Sequence, residues 1–196
     1  MASEVDICNL ALSHFGQDTK IDAIDPPDGS AEADHAAIFY PLARDELLEM
    51  HAWTFASRRA TLAELTNDRE DWAHRYQLPS DCLKPRAVLP AGYGSSEDDG
   101  VEFQREGDSI YTDAEDATLV YTFKLTDPTK FSPLFTITLS WLLGSYISGP
   151  ITKNPTGRTQ STLLNRAMQE FARASASNAN TSRSRASHVP TAQQVR

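Results

Sequence analysis

Cysteine is scarce. The 196 residues contain two, Cys8 and Cys82. They lie far apart without metal-ligand spacing, which argues against a disulfide framework and a zinc site built on paired thiolates. Positive charge is also short, with 18 Lys and Arg against 27 Asp and Glu and a formal net charge of -9. Affinity for a phosphate backbone begins with cations, so a general nucleic-acid binder is disfavoured. An acidic surface suits solubility, or a wall that DNA passes without sticking. No clean long apolar run is present. The richest stretch, residues 131–151, is interrupted by Ser132, Pro133, Thr136, Thr138, Ser140, Ser145 and Ser148, too polar for a membrane span and better read as a buried helix. The opening residues 1–6 lack a basic segment and an apolar run, so no secretory leader is expected.

Motifs that carry chemistry are missing as well. His14, His35, His51, His74 and His188 form no metal-ligand pattern. There is no G-x-S-x-G for a nucleophile elbow. The run from Gly149 to Thr159 places its glycines too far apart for a phosphate loop, has no lysine after Gly157 and follows no strand. Asn180-Thr181-Ser182 matches a glycosylation sequon without other signs of secretion. Asp25, Asp28, Glu97, Asp98 and Asp99 read as solvated loop charges, although a carboxylate pair could in principle serve acid–base chemistry on a sugar bond. No catalytic, cofactor or metal residue is assigned.

What is present is enough apolar material, 40% of the chain, for a folded core. Ser3 with Asp6 three residues on reads as a capping box. It opens a helix over residues 3–15, with Val5, Cys8, Leu12 and Phe15 on one face and Gly16 as its stop. Residues 17–29 form a loop around Asp25-Pro26-Pro27-Asp28-Gly29. A second helix starts at Ser30 and runs to about Met50, with Pro41 expected to kink or split it. Strands are expected at 101–104, 109–112 and 118–123, with Gly107-Asp108 turning a hairpin. The segment 92–100 reads as a flexible loop. A third helix over 133–148 is apolar nearly all round, which marks it as central. Gly149-Pro150 should end it, and a fourth helix follows over 156–175. Trp53, Phe55, Trp72, Tyr76 and Trp141 are the expected structural anchors.

The expected fold is therefore mainly α with a β insertion: a four-helix bundle core, a small antiparallel β subdomain and an extended C-terminal arm. The divisions are 1–75 for the first part of the bundle, 76–126 for the β-rich insertion, 127–177 for the second part and 178–196 for the arm. The arm carries Arg183, Arg185 and Arg196 with no acid, and only Val189 and Val195 as sizeable apolar groups. Such a segment forms no core alone, and on an acidic body it implies a docking destination elsewhere.

The order of these features resembles a known family. Ala11-Leu12 with Gly16 is followed by Ala43-Arg44-Asp45-Glu46-Leu47-Leu48 and by His51-Ala52-Trp53-Thr54-Phe55-Ala56-Ser57-Arg58-Arg59. Then come the run 72–83, with Trp72, Tyr76, Leu78, Pro79 and Asp81, and the run 121–131. Over residues 3–175 this is similar to the tail tubular protein A-like adaptors of tailed phages and gene transfer agents. Ala52 departs from it where related sequences often have proline. The resemblance implies a structural subunit and not an enzyme. Such a subunit joins copies of itself in a ring, commonly of twelve, between the portal protein and the tail tube or nozzle, and encloses a channel for DNA without sequence-specific binding. It implies a place in the virion neck after assembly in the host cytoplasm, with no membrane and no cofactor. It also implies portal docking through the C-terminal arm, with Arg183, Arg185, Val189, Pro190, Val195 and Arg196 as candidates. The rival reading is a connector-associated cell-wall hydrolase using a carboxylate pair.

Overall fold

The computed structural model describes residues 2–92, 97–153 and 157–181. Within them the chain runs α1 (Glu4–Ser13), α2 (Ala31–Met50), β1 (Ser57–Thr61), β2 (Glu64–Leu65), β3 (His74–Gln77), β4 (Cys82–Leu89), β5 (Phe103–Glu106), β6 (Ser109–Thr112), β7 (Thr118–Phe123), α3 (Pro133–Thr152) and α4 (Arg158–Ala179). Both early helix starts are written locally. Ser3 and Asp6 close a full capping box on α1, and the Ser30 hydroxyl accepts from the Ala33 amide to cap α2. Helix α2 continues through Pro41 without splitting.

The expected four-helix bundle core is corrected. The fold is mixed α/β, 47% helical and 21% strand, with its strands in two antiparallel sheets. One sheet has the order β1-β7-β4 and the other β2-β3-β6-β5. Two physical reasons account for the difference. The strands begin at Ser57, inside the segment read as helical. The sequence of β1, Ser-Arg-Arg-Ala-Thr, has no apolar alternation; as an edge strand it owes its order to pairing with β7. The helices, for their part, do not form a ring of neighbours: α1, α2 and α4 each pack chiefly on α3. The helical core is also closed by segments outside the four α-helices, including Trp53, Ala56, Leu125 and Phe131.

Helix α3 can take this central place because its polar positions need no outside partner. Thr138, Ser140, Ser145 and Ser148 are buried, and each hydroxyl donates to a carbonyl three or four residues back in the helix. Gly144 lets α1 approach closely, since a Cβ there would meet the Ala11 carbonyl oxygen at 3.1 Å. By length and mean hydropathy (1.3) α3 would pass as a membrane span, yet 56% of that window is buried inside the fold. The helix also runs past Gly149-Pro150 to Thr152 and ends on Lys153 at φ 50°.

The β part has a second core drawn from both sheets, with Leu62, Tyr76, Val88, Ile110, Leu119 and Tyr121 buried together. Gly107, at φ 54°, turns the β5–β6 hairpin in the expected place. Phe123 packs against this cluster and against the helical core, joining the two.

Trp53 belongs to the helical core and is fully buried. Its indole N–H donates to the Leu47 carbonyl at 2.8 Å, satisfying one of the last-turn carbonyls of α2 that have no intrahelical partner. Its ring stands edge-on to Phe135 and Phe171, with centroids at 5.1 and 6.2 Å, and lies 5.7 Å from Phe55. Trp53→Ala is expected to cost about 3–5 kcal/mol in chemical denaturation. A loss under about 1 kcal/mol would contradict this anchoring role.

His14 of α1 stacks on Trp141 of α3 with centroids 3.5 Å apart, and its Nε2 lies 2.9 Å from the Ser140 hydroxyl. Burial lowers its pKa from the ordinary 6.5 to about 4. Between those values the unfolded chain binds the extra proton, so the stability present above pH 6.5 falls as the pH drops toward 4. Melting temperature should therefore fall more steeply over that window in the wild type than in His14→Phe, which keeps a stacked ring and removes the titration. Parallel curves would contradict the assignment.

Candidate functional site

The last described helix ends at a fixed point. Helix α4 runs to Ala179, beyond the expected boundary at residue 178, and its last turn is held by Asn178. The Thr54 amide and hydroxyl donate to Asn178 Oδ1 at 3.2 and 2.9 Å. Asn178 Nδ2 donates to the Ala52 carbonyl at 3.3 Å and lies 3.1 Å from His51 Nε2. Four contacts saturate one carboxamide and tie the end of α4 to the chain that follows α2.

This arrangement needs a neutral His51 whose Nε2 accepts. Burial, with the nearby Arg86 charge second, holds the His51 pKa below its ordinary value. Protonation would set an N–H against the Asn178 amide N–H. Arg86 lies beside it with its guanidinium mostly buried, donating from Nη2 to the Ser57 hydroxyl at 2.7 Å and pairing with Glu97. Its Nε is buried without a partner among the described residues. His51, Thr54, Ser57, Arg86, Glu97 and Asn178 line an open cleft of about 470 Å³ beside the end of α4.

The docking candidates Arg183, Arg185, Val189, Pro190, Val195 and Arg196 lie outside the described residues. The expected anchors are dispersed. Trp53 is buried in the helical core and Tyr76 in the β core, where its hydroxyl donates to the Ala114 carbonyl at 2.8 Å. Phe55 is half-buried beside Trp53. Trp72 is half-buried at the sheet of β3, with its N–H on Gln104 Oε1 at 3.3 Å. Trp141 is half-buried between α1 and α4, stacked on His14 and faced by Arg166 at 5.8 Å. These side chains hold packing layers together and do not converge on one cavity.

The carboxylates whose pKa is displaced, Asp6, Asp28, Asp68, Asp71 and Asp127, are all displaced downward. Hydrogen bonds to their charged forms are the leading cause in each. Burial raises the Cys8 thiol to about 12 and the Cys82 thiol to about 11, which makes both poor nucleophiles. No group of three or more His, Cys, Asp or Glu side chains that could hold a metal ion occurs among the described residues.

Sequence reasoning did not find Asn178. It sits where a Ser-, Asn- and Ala-rich composition begins, and one polar residue has no period to reveal it. Asn178→Ala should leave the body folded, cost about 1–2 kcal/mol and speed amide hydrogen exchange in residues 174–179. Unchanged exchange there would contradict the pinning role.

No protein-family model and no curated protein matches this chain.

Proposed function

We propose that this chain is an adaptor subunit of the head-to-tail connector of a tailed phage or a gene-transfer-agent-like particle. Copies of it close a ring, twelve in the expected case, between the portal protein and the tail tube or nozzle. DNA passes through the channel, and the assembled ring forms part of the virion neck.

The observation that carries this reading is the ordered series of motifs, from Ala11-Leu12 through Trp53-Thr54-Phe55-Ala56 and Tyr76-Gln77-Leu78-Pro79 to the run ending at Phe131. Two further facts support it. The body is acidic, which suits a wall that DNA slides past. The segment after Thr181 carries arginines and no acid, and it leaves from a helix end that Asn178 holds in place. A basic segment on a fixed root is well built to reach an acidic partner.

The hydrolase reading asks for a carboxylic acid with a raised pKa facing a second carboxylate. The downward displacements above favour the structural reading over it.

Mass measurement of the chain alone and with its portal tests the proposal. The expected outcome is a monomer or weak oligomer alone and a closed ring on the portal. Deleting residues 182–196, and not 178–196, spares the Asn178 contacts. The truncated chain is expected to keep its melting temperature and to lose portal binding. A chain that remains monomeric with portal present would overturn the adaptor reading, and unchanged portal affinity after truncation would overturn the docking arm.

A further inference from the structure

Charge is divided between two outer helices. Helix α2 carries Glu32, Asp34, Asp45, Glu46 and Glu49 against Arg44 alone. Helix α4 carries Arg158, Arg166 and Arg173 against Glu170 alone. Local pairing does not cancel either excess. Arg44 and Lys124 both pair with Asp45, while Asp34 and Glu49 have no ion pair among the described residues and are exposed. On α4, Arg166 and Arg173 share the single Glu170 at 2.7 and 3.8 Å. Arg158 is exposed and has no acidic partner among the described residues.

Each of these helices also shows apolar side chains to solvent. Ile38 and Leu42, one turn apart on α2, are 58% and 59% exposed, the highest values among the exposed large hydrophobic residues. They lie on the same face as Asp34 and Glu49 at helical spacing. On α4, Leu164 is 40% exposed, but it lies about 120° around the helix from Arg158 and about 180° from Arg173, outside the arginine face. The helices occupy different sides of α3. Tyr146 reaches α2 at Phe39 and Glu46, whereas Trp141 reaches α4 at Arg166. Five residues of helix separate these contacts by about 140° around the axis, taking roughly 100° per residue.

We propose that the outer face of α2 in one copy seats against the outer face of α4 in the next, forming the head-to-tail interface of the ring. The inference rests on the adaptor reading and names its self-contact. Two unlike, complementary patches on different sides of one subunit give a heterologous contact that propagates from copy to copy. Ile38 and Leu42 supply an apolar centre, with Asp34 and Glu49 opposite the arginines of α4. Opposed charges set partner choice and register, and their contribution weakens with salt.

Charge reversal tests this directly. One variant carries Asp34→Lys and Glu49→Lys; another carries Arg158→Glu and Arg173→Glu. Arg166 is left alone because it faces Trp141. Each variant alone opposes like charges at every junction and should lose the ring in native mass spectra recorded with portal present. Mixed in equal amounts, the two variants restore opposite charge at every junction and should regain a ring of alternating composition. Melting temperatures show whether each variant is folded. If the wild type forms no ring with portal, the adaptor reading fails and the interface fails with it. If the wild type forms a ring and either folded variant does so equally well alone, the interface is wrong and the adaptor reading stands. Failure of the mixture of folded variants to regain a ring also overturns the interface.

Discussion

The side chains of α3 leave little of the helix facing water, and the fold follows from that constraint. Buried Leu143 lies on one side of the α3 axis, and part-buried Leu134 and Trp141 lie on the other, so covering only one side would leave apolar surface exposed. Three helices and the Trp53 segment provide the cover. The hydroxyls of Thr138, Ser140, Ser145 and Ser148 remain inside because the α3 backbone satisfies them. Gly144 removes the one Cβ that would hold α1 away. A helix used as an axle commits its partners to its circumference and frees their outer faces for other work.

Those outer faces differ in chemistry. The acidic side of α2 and the basic side of α4 lie on different arcs around α3, so one chain carries two unlike surfaces. The end of α4 is a third prepared feature. Asn178 draws together Ala52, Thr54 and His51, and the arginine-bearing segment starts a few residues later. In the adaptor reading the central helix makes the subunit rigid, the side faces join copies, and the pinned helix end aims the arm at the portal.

Local signals were the legible ones. Ser3 with Asp6 and Ser30 at α2 mark helix starts, because a cap is a contact between near neighbours. Gly107-Asp108 marks the hairpin because only a few residues tolerate that turn. The central helix was legible from its lack of a polar face. What depended on distant partners was hidden. Strand β1 has two arginines where alternation would be expected and is ordered by β7, some sixty residues away in sequence. Arg58 stays on that strand with its guanidinium 3.8 Å from the Phe123 ring and paired to Asp81. The arrangement of helices around α3, instead of in a four-membered bundle, depends on which faces meet, and helix counting does not specify that. The end of α4 was placed too early because its last turn is held by side-chain contacts to Thr54 and His51, and not by an apolar stripe.

Electron cryomicroscopy of the chain mixed with its portal tests the central claim most directly. The account predicts a closed ring coaxial with the portal, an open channel on the axis, and α2 of each copy facing α4 of the next. Particles of bare portal, or single copies bound without lateral contact, would contradict it.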